Sequence, residues 1–210
     1  MTENLTIVDH PLVQHKLTEM RDQTTPPQIF RRRLREISFL LAYDAMKDLP
    51  LTTRKIETPI EACTMPTLKG EDICLISILR AGNGLLEGIF DLVPEARVGH
   101  VGLYRDHETL EAIEYYFKVP DRIEDRHVFV VDPMLATGHS AAAALSKLKQ
   151  AGARKISFIC LVASPEGVAF LGDQHGDVNI VTAALDRALN DVGYIMPGLG
   201  DAGDRIYGTV

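Results

Sequence analysis

The residues able to do chemistry collect in three stretches, each placed where a strand or helix begins or ends. The first, VFVVDPMLATGHSAAAALSKLKQAG, runs from Val128 to Gly152. Val128, Phe129, Val130 and Val131 form a continuous apolar run that suits a strand covered on both faces. Asp132 then stands at the carboxyl end of that strand, the edge where open α/β sheets bind ligands. Ala136, Thr137, Gly138, His139 and Ser140 make a small polar turn before an alanine-rich helix expected to end near Gly152. Unpaired N–H groups at such a helix start, two hydroxyls and the bare backbone of Gly138 together cradle a sugar phosphate.

The second stretch, SILRAGNGLLEG from Ser77 to Gly88, also turns from strand to helix. Arg80 stands at the strand exit, where a guanidinium fork suits a pyrophosphate. Gly82, Gly84 and Gly88 offer a rival reading: they spell G-x-G-x-x-x-G, close to the dinucleotide fingerprint, with Asp106 about where a ribose-binding acid is sought. The glycine spacing is one residue too long for that motif. The third stretch, GYIMPGLGDAGDRIYGTV, sets five glycines around Asp201 and Asp204. Tyr194, Ile195, Met196, Ile206 and Tyr207 are too apolar for a solvated tail, so a docked loop with exposed backbone groups is expected. Glycines there allow a planar base to approach closely.

An alternating strand-helix pattern positions these stretches. Strands are expected at Ile73 to Leu79, Val98 to Tyr104, Val128 to Val131, Ile156 to Val162 and Val178 to Thr182. Helices follow Gly84 and begin near Thr137 and Pro165. These are βαβ units, and they imply a parallel sheet of about five strands flanked by helices. Two helices precede the sheet and make residues 1–50 a helical part: Pro11 to about Asp22, with Val13, Leu17 and Met20 at helical spacing, and a longer one before Pro50. In the longer helix Thr25 and Gln28 read as a capping box with Pro26 at the first helical position. Its Arg31, Arg32, Arg33 and Arg35 read as a solvated face and are assigned no site. Residues 105–120 break the rhythm with Asp106, His107 and Glu108 and a strand-like Ile113 to Val119, so a projecting hairpin or flap is expected. No repeat or linker divides the chain, and 1–210 is expected to be a single domain.

Composition excludes several classes. A net charge of −7 and a pI near 5.5 give no basic field for nucleic acid. No run approaches the roughly 18 apolar residues of a membrane span, and MTENLTIVDH lacks a signal pattern, so a cytoplasmic chain is expected. Cys63, Cys74 and Cys160 form no C-x-x-C pair, which argues against a disulfide framework or a zinc site.

DPMLATG-x-S after a hydrophobic strand resembles the phosphoribosyl-diphosphate (PRPP) motif of type I phosphoribosyltransferases. Its DPM form, with ILRAG, the YRD strand end and GYIMPGLGDAGD in order, looks like the uracil phosphoribosyltransferase family. The resemblance implies an α/β fold of that type with a C-terminal base-binding hood over residues 193–210. It implies conversion of uracil and PRPP to UMP and diphosphate in pyrimidine salvage. It also carries roles onto residues. Asp132 would bind the ribose hydroxyls, Pro133, Met134 and Leu135 would continue the PRPP motif, and Ala136 to Ser140 would hold the sugar phosphate. Arg80 and Arg105 would hold the diphosphate, and Asp201 would lie at the junction of PRPP and base. The backbone at Ile195, Gly200 and Ala202, beside Asp201, would read uracil; Asp132, Asp201 and Arg105 form the expected catalytic set. Mg²⁺ bound mainly through PRPP, a GTP effector and a homodimer or higher homo-oligomer are implied in the same way. Two departures stand out: Asp132 is followed by Pro133 where many type I enzymes have a second acid, and His139 replaces a glycine. Transfer to another base and an RNA-binding regulator built on the same scaffold are the alternative readings.

Overall fold

The strands are continuous apolar runs because helices cover the sheet from both sides. The computed structural model describes residues 4–69, 73–105 and 112–209. The chain opens with β1 (Leu5–Ile7), α1 (Pro11–Arg21) and α2 (Pro27–Ala45), followed by a hairpin of β2 (Leu51–Glu57) and β3 (Ala62–Leu68). Next come β4 (Ile73–Leu79), α3 (Gly82–Leu92), β5 (Arg97–Arg105), β6 (Ala112–Lys118), β7 (His127–Val131), β8 (Met134–Leu135) and α4 (His139–Gln150). The last part is β9 (Lys155–Ala163), α5 (Pro165–Gln174), β10 (Asn179–Leu185), β11 (Ala188–Leu189), β12 (Ile195–Met196) and α6 (Ala202–Tyr207).

The main sheet has the order β1-β10-β9-β7-β4-β5-β6, with β8 beside β9. Neighbours are parallel except β6, which runs antiparallel to β5. Side chains alternate between two cores along each strand. Phe129 and Val131 of β7 enter one core with α1, α2 and α3, while Val128 and Val130 enter the other with α4 and α5. Cys74 and Cys160 belong to this second core, where burial pushes both thiols up to about 12. From β4 the chain moves to β5 on one side, and from β7 it moves to β9 and β10 on the other. The crevice between the carboxyl ends of β4 and β7 is therefore the topological switch point, where ligands bind in open α/β sheets.

Several expectations need correction. The five anticipated strands are joined by β1, paired parallel to β10, whose three residues are too few to signal a strand by periodicity; the strand-like Ile113 to Val119 appears as β6, which pairs antiparallel with β5 and extends the main sheet. The β2–β3 hairpin was not anticipated, because its strands bury neither face and so carry no alternating pattern: every residue of β2 is exposed. The capping box at Thr25 does not form. Helix α2 starts at Pro27 behind Pro26, with no side-chain cap, and the Thr25 hydroxyl instead donates to the Glu19 carbonyl at 2.6 Å, tying the α1–α2 turn together. The arginines of α2 are engaged rather than merely solvated. Arg31 donates to the Ile206 carbonyl, Arg32 and Arg33 pair with Glu36, Arg33 also with Glu19, and Arg35 with Asp91.

Candidate active site

Asp132 follows β7 directly at the switch point, and its N–H donates to the Ile159 carbonyl of β9 at 3.2 Å, holding the strand exit in the sheet plane. The residue is half-buried. Burial pushes its carboxyl up to about 7, opposed in part by the Met134 N–H that it accepts. Pro133 is buried, and its carbonyl accepts from both Leu161 and Val162. The Leu135 side chain points into the α4–α5 core, and its carbonyl accepts from Ser164 N–H at 2.9 Å. Ser164 binds the turn a second time through its hydroxyl, which donates to the Ala136 carbonyl at 2.6 Å. The cradle is thus braced from β9 and the start of α5.

Gly138 caps α4 with φ +82°, and a β-carbon there would sit 3.0 Å from both the Gly167 carbonyl oxygen and Phe170. Left-handed backbone and tight packing both require glycine at this position. His139 and Ser140 form the exposed first turn of α4, and the His139 ring packs against Phe170 with centroids 4.4 Å apart. The first turn of α4 is thereby open toward solvent, as a phosphate-binding helix start requires.

Arg80 leaves β4 across a cis peptide from Leu79 and is exposed. Its carbonyl accepts from the Tyr207 hydroxyl at 2.9 Å, and its guanidinium stands 6.0 Å from the Tyr207 ring. The glycines after it have packing roles. A β-carbon on Gly82 would meet the Val131 carbonyl at 2.5 Å, one on Gly84 would meet Leu34 at 2.5 Å, and Gly88 sits against Ser38 and the Arg35 carbonyl. They let α3 lie close to β7 and α2. Arg105 ends β5; its side chain lies outside the described residues, as do Asp106, His107 and Glu108.

The C-terminal stretch is docked. Ile195, Leu199, Ala202 and Ile206 enter the core, whereas Tyr194 is exposed. After the antiparallel β11–β12 pair comes a cis bond to Pro197, and Gly193, Gly198 and Gly200 all have positive φ. Asp201 caps α6 by accepting from Asp204 N–H at 3.0 Å. Gly193 reaches toward Thr137, and Gly203 toward Ala81. The loops after β4 and β7 and this hood therefore meet around a cavity of about 240 Å³, lined by Ala81, Met134, Ala136, Ile195, Gly200 and Asp201 among others. Such a volume suits a small planar ring. Of the residues expected to read a base, Ile195, Gly200, Asp201 and Ala202 all line it.

Sequence reasoning missed several members. Ala81, Gly193, Tyr194 and Gly203 also line the cavity; Gly193, Tyr194 and Gly203 fall within the expected hood of residues 193–210, while Ala81 carries no chemical signal of its own. Arg21 and Asp186 were missed as well. Two guanidinium nitrogens of Arg21 reach the two Asp186 oxygens at 2.7 and 2.6 Å, far apart in sequence, and this contact supports the hood.

Comparison with known proteins identifies the family and the fold. The family described as Uracil phosphoribosyltransferase matches residues 7–209. A uracil phosphoribosyltransferase of Mesorhizobium japonicum is 62% identical over 207 residues, covering 99% of each chain. One from Paracoccus denitrificans is 61% identical over 206 residues, covering 98% of each. Among solved structures, the AQ2163 protein from Aquifex aeolicus superposes with a TM-score of 0.92 at 38% identity, covering 97% of both chains. A hypoxanthine-guanine phosphoribosyltransferase of Bacillus anthracis, at 13% identity and TM-score 0.53 over 76% of this chain and 80% of its own, shares the fold. The sheet is that of the type I phosphoribosyltransferases, and the chain belongs to the uracil phosphoribosyltransferase family.

Proposed function

We infer that this protein transfers the phosphoribosyl group of PRPP to uracil, giving UMP and diphosphate. The observation that carries the reading is the convergence of the β4 loop, the β7 loop and the glycine-rich hood on one small cavity at the switch-point end of the sheet, lined by Ala81, Met134, Ala136 and Asp201 among others. The α4 N-terminus and the Ala136–Ser140 turn hold the sugar phosphate, Asp132 the ribose hydroxyls, and Arg80 with Arg105 the diphosphate. Hood backbone near Ile195, Gly200 and Ala202 reads the pyrimidine edge, so cytosine is rejected when its amino group meets a donor aimed at the uracil O4. As the bond from the anomeric carbon to diphosphate breaks, uracil N1 forms the new bond from the opposite face, and the N1 proton leaves. Catalysis is chiefly alignment of the two reactants. Asp201 lies at the junction between them.

Mg²⁺ accompanies PRPP in this reading. Among the described residues no cluster of three His, Cys, Asp or Glu side chains forms a metal cage. The carboxylates of Asp132 and Asp201 suit an ion that takes most of its oxygens from substrate phosphates and water. When bound it would neutralise charge on the departing diphosphate.

The same family reading makes 1–210 one working unit, with 105–120 as a flap, and places the protein in the cytoplasm as a homo-oligomer. Three free cysteines support a reducing compartment. A two-stranded hairpin is marginal alone in water, so the exposed β2–β3 arm, with Leu51 and Ile60 uncovered, supports association of copies. A GTP effector is carried over without a site; the α2 arginines already have protein partners. The decisive experiment offers PRPP with uracil, cytosine, hypoxanthine or orotate and measures diphosphate release. Release with uracil alone is expected; faster release with another base would overturn the assignment.

A further inference from the structure

The hood reads its ligand with backbone groups, yet a backbone loop rich in glycine has no stiffness of its own. Something outside the loop must set its position. The chain provides this at Gly198, where the loop turns with φ +60° between the cis bond to Pro197 and the cavity-lining residues Gly200 to Gly203. Gly198 is gripped at both ends. Its N–H donates to Asp186 Oδ2 at 2.9 Å, and its carbonyl accepts from the Arg21 guanidinium at 2.7 Å. Arg21 also closes a two-bond fork on Asp186, at 2.7 and 2.6 Å. Asp186 is in turn anchored to the sheet, since it directly follows β10 and its N–H donates to the last carbonyl of β9, at Ala163, at 2.8 Å.

We propose that Arg21 and Asp186 are positioning residues for base recognition, fixing the hood backbone at the spacing that uracil requires. Neither lines the base cavity, so neither is a catalytic residue. Their influence passes through Gly198 to Gly200 and Ala202. The Asp186 side chain is only 6% exposed and Arg21 23%, so the pair is shielded and charge-assisted, and removing one charge leaves the other without its partner. Arg21 is the last residue of α1. Arg205 strengthens the same join, donating to the carbonyls of Met20, Asp22 and Leu199. The turn after α1 and the hood are thus one polar network.

This inference rests on the uracil reading of the cavity. Two variants test it: Asp186→Asn, which keeps an acceptor for Gly198 but loses the charge, and Arg21→Lys, which keeps the charge but loses the fork. Each is expected to raise KM for uracil about tenfold, the effect of one lost charge-assisted bond, with KM for PRPP held within about twofold. Amide hydrogen exchange on the ligand-free protein should quicken over residues 198–203 and stay unchanged in β7 and β9. An unchanged KM for uracil, or a parallel rise of both KM values with exchange quickening throughout the sheet, would overturn the proposal. If the unsubstituted protein turned over no uracil, the base assignment would fall, and exchange over 198–203 would still decide whether the pair holds the loop.

Discussion

The proposed phosphate cradle and the proposed base hood meet at one cavity but are held in different ways. The cradle is contiguous: strand β7, Asp132, the turn and α4 lie within 24 residues, His127 to Gln150. Its braces at Ser164 and Gly167 come from the next strand-helix connection. The hood is tethered from a distance. Arg21 of α1, Arg31 of α2, Asp186 after β10 and the Arg80 carbonyl after β4 all bind it. A phosphate needs many N–H groups pointing one way, which a helix start supplies by itself. A flat base needs backbone at a fixed separation, which a glycine loop reaches only when other elements hold it.

The largest expected effect breaks the cradle's chemistry without touching the hood. Asp132→Asn should lower kcat by about a hundredfold or more, as for loss of a preorganised charged contact, while KM for uracil changes little. Near-normal UMP synthesis by this variant would remove Asp132 from its assigned role. The same carboxyl predicts a pH dependence. Its folded value, about 7, lies above its ordinary value of 3.8. The folded protein therefore holds a proton that the unfolded chain gives up, and this contribution to stability is full below 3.8 and lost as pH rises through 7. Melting temperatures of the unsubstituted protein should fall relative to Asp132→Asn between those values. Parallel melting curves would contradict the buried carboxyl.

Next in size is Arg105→Ala, expected to weaken PRPP binding about tenfold through loss of a charge-assisted contact. Calorimetry would show this with an unchanged melting temperature; unchanged PRPP affinity would make Arg105 structural. Gly138→Ala sharpens the contrast from the other side. A side chain at a positive φ costs about 1–2 kcal/mol, and the contacts at Gly167 and Phe170 add to that, so thermal denaturation should shift down and PRPP affinity should fall before uracil affinity does. The smallest effect is expected from Tyr207→Phe, which deletes one neutral hydrogen bond from α6 to the Arg80 carbonyl. A rise of about threefold in KM for PRPP corresponds to such a bond; no change would show that the hood and the diphosphate loop are held independently.

The order of strands and helices was legible because both faces of β4, β7, β9 and β10 are buried, and burial writes continuous apolar runs into the sequence. The β2–β3 arm escaped notice for the converse reason, burying neither face, and the capping box fails because α2 starts at Pro27 with Pro26 at the cap, one residue too late for Thr25, whose hydroxyl donates to the Glu19 carbonyl instead.

Residue order alone determined the strand–turn–helix proposed to cradle a phosphate, since strand, acid, turn and helix start are neighbours in the chain and local backbone geometry assembles them. It also marked the hood as docked, through apolar residues too numerous for a solvated tail. Only the tertiary structure decided that Asp186 would find Arg21 across 165 positions, that Tyr207 would meet Arg80, and that Gly82, Gly84 and Gly88 serve close packing. Ion pairs and close approaches between distant segments depend on where the sheet brings their ends, and no spacing along the chain encodes that distance.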